Sequence, residues 1–328
     1  MAFHPERYQA MQYRRCGKSG LLLPAVSLGG WQAIGGYRDD EISKRIFFAA
    51  FDLGITHFDF ANNYGHPAGA SEELFGRILK EMPRHELVLS SKAGYRMWPG
   101  PYGDGGSRKY LVESCEESLR RLGIDHVDIF YSHRFDPETP MEETLGALET
   151  LVRQGKALYA GISNYPDPHF SRAVHIMREN RWAPVTIHQP CYNLLNRAPE
   201  RDVLPTAGRE GVGVIGFSPL AQGLLTDKYL NGIPADSRAA VAKGNGAIGA
   251  QRITPELVAK IGKLNAVARR RGQSLAQMAL AWLLKDLRVT SVLIGASKPE
   301  QVGDCVACLK NASFAQEELD EIERILAG

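Results

Sequence analysis

The chain is short of several things, and each shortage removes a class of function. No apolar run approaches the roughly 18 residues needed to cross a bilayer. The opening Met-Ala-Phe-His-Pro-Glu-Arg lacks the charged-then-apolar pattern of a secretory leader. Both point to a cytoplasmic protein without membrane contact. Neither sign of charge dominates, since 39 Lys and Arg face 37 Asp and Glu for a net charge of +2. With no long basic block, a nucleic-acid partner is not expected. Cysteine is scarce, at 5 in 328 residues, and the positions (Cys16, Cys115, Cys191, Cys305, Cys308) are odd in number and mostly far apart. They read as free thiols in a reducing compartment. Cys305-Val-Ala-Cys308 has the spacing of a redox pair, but it falls in an expected late helix, where two small core-facing residues are the plainer reading. Neither H-E-x-x-H nor paired C-x-x-C occurs, so no metal site is expected.

What is present is alternation. Short β-branched runs lie near Ala25–Leu28, Thr56–Phe58, Leu87–Ser90, Val127–Tyr131, Ala157–Ile162, Val185–His188, Gly213–Phe217 and Ser291–Ile294. Amphipathic stretches such as Asp40–Asp52, Arg108–Arg121 and Pro140–Gln154 fall between them. Leu111, Cys115, Ser118, Leu119 and Leu122 recur at helical spacing on one face. Eight strands, most followed by a helix, predict a single α/β domain over residues 1–328, a (β/α)8 TIM barrel rather than an open doubly wound sheet. Tyr13–Arg15 and Leu21–Leu23 predict a hairpin plugging the barrel floor. Gly94–Ser107 and Leu225–Arg252 are long loops expected to shape the pockets.

Four side chains follow apolar runs: Asp59, Tyr64, Lys92 and His133. In a barrel they sit at the C-terminal ends of strands two to four, the end that carries active sites. Taken singly, each has a plain structural explanation: a cap, a packing ring, an exposed ammonium, a satisfied histidine. Together they suit carbonyl reduction. Tyr64 would donate the proton, Lys92 would lower its phenol, Asp59 would hold Lys92, and His133 would align the carbonyl oxygen. Gly211-Val-Gly-Val-Ile-Gly216 matches the dinucleotide fingerprint by letter, but it follows a helix and runs into a strand, the reverse of the required context. Gly17-Lys-Ser19 lacks the first glycine of a P-loop.

At these residues the chain resembles the aldo-keto reductases over nearly its whole length. It is most similar to the bacterial L-glyceraldehyde 3-phosphate reductases and their relatives, the potassium-channel β subunits. The segments that carry the likeness are Asp59-Phe-Ala-Asn-Asn-Tyr-Gly65, Met97-Trp-Pro-Gly-Pro-Tyr-Gly103, Tyr131-Ser-His-Arg134, Tyr192-Asn-Leu-Leu-Asn-Arg197 and Phe217-Ser-Pro-Leu-Ala-Gln-Gly-Leu-Leu225. The resemblance implies an NADPH-dependent reductase of short aldehydes such as L-glyceraldehyde 3-phosphate or methylglyoxal, with Asp59, Tyr64, Lys92 and His133 as its catalytic tetrad. It further implies that Ser163, Asn164 and Gln189 meet the nicotinamide, that Phe217 stacks on it, and that Gly30 and Trp31 border it. Ser218, Pro219, Leu220, Gln222 and Gly223 would carry the pyrophosphate, and Lys228 and Arg238 would reach over the cofactor. Gly295, Ser297, Lys298 and Gln301 would take the adenosine phosphate, where a cationic Lys298 would favour NADP. The adenine position, commonly Glu-Asn, is Asp304-Cys305 here, a change expected to alter cofactor preference and expose a thiol to oxidants. Trp31, Tyr64, His133 and Trp98 are the implied substrate wall, with Arg96, Arg108 and Lys109 as candidate phosphate partners. The chain stops at Gly328 where relatives carry a further tail, so a tail contact is expected to be missing. A homo-oligomer, tetramer or octamer, is also implied. The rival reading is a cofactor-sensing regulatory subunit; channel subunits typically carry Asn where His133 stands, which favours the enzyme.

Overall fold

The computed structural model describes residues 3–32, 34–235, 237–241 and 248–328, with Arg238 and Val241 given by backbone alone. A hairpin comes first, β1 (Tyr13–Arg15) and β2 (Leu22–Pro24). The repeat then runs β3 (Val26–Gly29), α1 (Asp40–Asp52), β4 (His57–Asp59), α2 (Ala70–Leu79), β5 (Val88–Ala93), α3 (Arg108–Leu122), β6 (Val127–Ser132) and α4 (Met141–Arg153). It continues through β7 (Ala157–Ser163), α5 (His169–Glu179), β8 (Val185–Gln189), α6 (Val203–Glu210), β9 (Gly213–Phe217) and α7 (Arg238–Val241). Last come α8 (Pro255–Arg270), α9 (Leu275–Leu284), β10 (Val289–Ile294), α10 (Pro299–Val306) and α11 (Gln316–Ala327). Strands β3 to β10 close in order into one parallel barrel, β10 pairing β3. The predicted (β/α)8 architecture is the one observed.

Local signals set the helix ends. The Asp39 carboxylate accepts from the Glu41 and Ile42 amides to start α1, and Ser107 accepts from Tyr110 to start α3. Ser274 and Gln277 form a reciprocal capping box at α9. Gly123 ends α3 in the left-handed conformation. All ten residues of α9 except Gln277 are buried, so this helix lies in the interior against β10, α8 and α10 rather than at the surface.

The hairpin closes the barrel floor as expected, although β2 begins one residue later than the pattern suggested. Cys16, Leu21 and Leu23 share an apolar cluster with Ile129, Tyr131, Ile187, Ile215 and Leu293 from inside the barrel. The Lys18 amide donates to the Gly211 carbonyl at 2.9 Å. A Cβ on Gly213 would sit 2.2 Å from the Cys16 sulfur. The glycines that imitate a dinucleotide fingerprint therefore let the plug approach α6 and β9 closely.

Candidate active site

Parallel pairing sets the register of the site. Asp59 on β4 lies opposite Ser90 on β5, Lys92 opposite Tyr131 on β6, and Ser163 on β7 opposite Gln189 on β8. With side chains alternating along each strand, these residues converge inside the mouth of the barrel.

The structure brings all four tetrad residues together. Asp59 and Lys92 are fully buried, and the Lys92 ammonium donates to Asp59 Oδ2 at 2.5 Å and to the Phe60 carbonyl at 2.6 Å. Its third donor meets the Tyr64 hydroxyl at 3.5 Å. Asp59 Oδ1 accepts from Ser90 Oγ at 2.5 Å and from Gln189 Nε2 at 3.2 Å. The His133 ring stands 5.8 Å from the Tyr64 ring and 4.7 Å from that of Tyr95, edge to face with both. No side-chain hydrogen bond engages the imidazole among the described residues, and Nδ1 is buried without a partner.

The electrostatics correct one expectation. The Tyr64 phenol is held well above its usual value of 10, first by burial and then by the charge of Asp59, instead of being lowered by Lys92. Burial also lowers the Lys92 ammonium, with Asp59 opposing. Lys92 is paired with Asp59 at 2.5 Å and reaches Tyr64 through its longest contact, so its pull on the phenol is outweighed by burial and by Asp59. Tyr64 therefore keeps its proton across the working pH range. Burial drives His133 well below 6.5, so it is a neutral donor rather than an imidazolium.

Two other buried imidazoles, His57 and His188, are pushed down to about 4 by burial. Unfolded, each binds a proton near pH 6.5, whereas the folded protein does not. Their stability contribution is whole above about pH 6.5 and is lost as pH falls towards 4. At about 1.4 kcal/mol per pH unit, each costs roughly 3 kcal/mol by pH 4. The urea midpoint is expected to drop steeply through this window; a flat midpoint would contradict neutral, buried histidines.

The cofactor candidates surround the tetrad at one side. Ser163 Oγ donates to the Gln189 carbonyl at 2.8 Å, and Asn164 Nδ2 to the His133 carbonyl at 3.1 Å. Gly30 donates its amide to the Asp59 carbonyl at 2.8 Å, and a Cβ there would strike the Phe60 ring at 2.6 Å, so only glycine lets this turn pass. The Trp31 ring lies 6.4 Å from that of Tyr64. Phe217 ends β9 half-buried, and the turn after it has positive φ at Ser218, Ala221, Gln222 and Gly223, with Pro219 and Leu220 between. Gln222 Nε2 donates to Ser218 Oγ at 2.8 Å. Beyond β10, Gly295 is open to a ligand's approach and Lys298 is exposed at the start of α10. Ser297 and Gln301 bond each other there. Lys228 is exposed; the side chain of Arg238 lies outside the described residues. An aromatic at a strand end, unpaired His133 Nδ1, a strained backbone turn and a cation at a helix start fit a nicotinamide dinucleotide lying across the mouth.

Three calls move. Cys305 belongs to the apolar core and burial raises its thiol to about 12, while Asp304 accepts from Gln277 at 2.7 Å and from Ser274 at 3.4 Å. Asp304 joins α10 to α9, and a buried, protonated thiol at Cys305 is a poor oxidant target. Trp98 packs edge-on against Tyr110 and lines a cleft of about 400 Å³ outside α3 with Tyr102, Lys109, Glu113, Glu117 and Arg121. Tyr95 is the loop aromatic that meets His133. Arg108 is committed to Gly146 O and Thr150 Oγ1, and Lys109 faces Glu113. Arg134 and Arg38 were not anticipated. Arg134 lies 5.0 Å from the Tyr95 ring, and Arg38 donates to the Ser297 carbonyl at 2.5 Å. The adjacency of Arg134 to His133 was the available signal for the first; no spacing announced the second.

Residues 25–327 match the description of the Aldo/keto reductase family. The chain is 55% identical over 334 aligned residues to L-glyceraldehyde 3-phosphate reductase of Escherichia coli, covering 99% of this chain and 95% of that protein. It is 38% identical to a Schizosaccharomyces pombe protein and 34% identical to an Oryza sativa subsp. japonica protein, both named as voltage-gated potassium channel β subunits. These cover 96% of this chain in each case, and 93% and 97% of those proteins. No helix among the described residues is long and apolar enough to cross a membrane. Members of the matching family are oxidoreductases that use NAD(P)H, which agrees with the geometry above. The chain belongs to the aldo/keto reductase family.

Proposed function

We propose that the protein reduces short aldehydes, L-glyceraldehyde 3-phosphate or methylglyoxal among them, with NADPH as cofactor and Tyr64 as the general acid. The observation that carries this reading is the Asp59–Lys92–Tyr64 contact series ending beside a neutral, unpartnered His133. The hydride to the carbonyl carbon would come from a reduced nicotinamide held beside Ser163, Asn164, Gln189 and Phe217. Tyr64 gives its proton to the carbonyl oxygen as negative charge develops there. Lys92 stabilises the resulting phenolate, which is when its charge counts most. Asp59 keeps the ammonium in place. His133 offers a hydrogen bond that fixes the oxygen, and Tyr95 packs its ring in position. Phe217 and Trp31 line the faces where the ring and substrate enter, and they exclude water.

Arg38 and Lys298 at the open end of β10 support a preference for the extra phosphate of NADPH over NADH. A homo-oligomer, tetramer or octamer, belongs to the same proposal, and sedimentation velocity reads it. A substrate panel run in parallel with NADPH and NADH tests the reading as a whole. Turnover of short aldehydes with a lower KM for NADPH is expected; no turnover with any of them overturns it.

Arg134 is the best-placed cation for a phosphorylated aldehyde. It holds the third loop through the Gly94 carbonyl at 2.7 Å and Asp104 at 2.9 Å, and its side chain remains 36% exposed. Asp104→Asn, which frees the guanidinium, is expected to lower KM for glyceraldehyde 3-phosphate by about two- to fivefold, the range of one exposed ion pair. Arg134→Gln is expected to raise it by about tenfold. KM for neutral aldehydes should hold in both variants, and parallel changes for neutral and phosphorylated substrates would remove Arg134 from this role.

A further inference from the structure

Beneath the tetrad, a second polar layer crosses the barrel interior, and the proposed chemistry has not used it. Ser291 Oγ lies 2.7 Å from Ser27 Oγ, and Ser27 Oγ lies 2.9 Å from His57 Nδ1. His57 Nε2 lies 3.0 Å from Ser90 Oγ, and Ser90 Oγ donates to Asp59 Oδ1 at 2.5 Å. All five side chains are fully buried, and they come from four strands, β10, β3, β4 and β5. Such a layer is costly in a barrel core unless every member is satisfied.

Counting protons gives the chain one direction. Asp59, paired with the Lys92 ammonium, is a carboxylate and only accepts. Ser90 has one proton, and it goes to Asp59. The Ser90 oxygen must then accept from His57, so the imidazole proton sits on Nε2. A neutral imidazole with Nε2–H has Nδ1 free to accept, and it takes the Ser27 proton. Ser27 in turn accepts from Ser291. Every hydroxyl and the imidazole thus point their hydrogens along one line that ends on the carboxylate.

We propose that His57, acting through Ser90, is a positioning residue for Asp59: it commits the Ser90 hydroxyl to the carboxylate and so fixes the anchor of Lys92. This rests on the reductase reading above. Without the Nε2–H donor, Ser90 is free to turn away, and Asp59 Oδ1 keeps only the longer contact from Gln189 at 3.2 Å. The charged and titratable groups facing Asp59 are Lys92 from β5, Tyr64 from the loop after β4, Tyr131 from β6 and His57 from β4 itself. Lys92 alone among them carries a charge there.

The test compares His57→Leu, Ser90→Ala and His57→Gln, whose amide can replace the Nε2 donor. His57→Leu and Ser90→Ala are expected to lower kcat for aldehyde reduction by roughly 10- to 100-fold, the usual effect of one hydrogen bond to a charged group. NADPH affinity, read by tryptophan quenching, should hold. His57→Gln should restore kcat. A merely structural role predicts lost stability with kcat per folded molecule unmoved and no specific rescue by His57→Gln, and that outcome overturns the proposal. Where a variant fails to fold, nitrogen–proton correlation NMR of the wild-type protein decides independently of activity. Nε2–H at His57 supports the proposal, and Nδ1–H or a doubly protonated ring overturns it. A wild-type protein without turnover would sink the reductase reading and still leave this tautomer to be read.

Discussion

Tyr64→Phe is expected to reduce kcat by about 10²- to 10⁴-fold, the usual range for a positioned general acid, with cofactor affinity unchanged. The substitution removes one oxygen and leaves the ring. Its contacts with Trp31 and His133 are ring contacts at 6.4 and 5.8 Å, so the pocket shape survives. What disappears is a proton that burial and Asp59 keep on the phenol. Neutral His133 carries no imidazolium proton to give in the phenol's stead, so it does not substitute directly. Steady-state kinetics with a fluorescence titration of NADPH separates the two quantities. A kcat within about threefold of wild type, far less than a general acid contributes, would show that another group donates.

Lys92→Met is expected to be the most destabilising single change at the site, by about 3–5 kcal/mol, because it leaves the Asp59 carboxylate buried without its counter-ion. Both side chains are fully buried, and the ammonium also satisfies the Phe60 carbonyl. The partner change, Asp59→Leu, strands the ammonium in the same way. The double change Asp59→Leu with Lys92→Met removes both charges, and it is expected to recover most of the lost stability while remaining inactive. Urea unfolding of the four proteins measures this. If the double variant is as unstable as the sum of the single ones, the pair is not coupled, and the account of Asp59 as the lysine's anchor fails.

The fold was legible because its signals are local and repeated. Eight short apolar runs separated by amphipathic stretches allow few architectures, and the observed strands begin and end within a few residues of those runs. The tetrad was legible because strand ends place chemistry: Asp59 closes β4, Lys92 lies near the end of β5, and His133 follows β6. Directions of long side chains were not legible. Whether Arg108 faces a substrate or the Gly146 carbonyl is decided by a helix some forty residues later. The contacts of Asp304 were equally non-local, since its partners Ser274 and Gln277 lie at the start of another helix. Tyr64 was read with the wrong sign because proximity to a cation was weighed without the desolvation that outranks it. The Ser27–His57–Ser90 layer could have been read from alternation alone, since His57 and Asp59 share one face of β4, and Ser90 and Lys92 share one face of β5.

The central claim is that the tetrad performs reduction and does not merely report on bound cofactor. Stopped-flow mixing of the NADPH-saturated protein with glyceraldehyde 3-phosphate, following nicotinamide absorbance, tests it most directly. The predicted result is oxidation of one equivalent per site, faster than NADPH exchanges with solution, followed by continued turnover. Oxidation slower than cofactor exchange, for this aldehyde and for methylglyoxal alike, would contradict it and support a cofactor sensor.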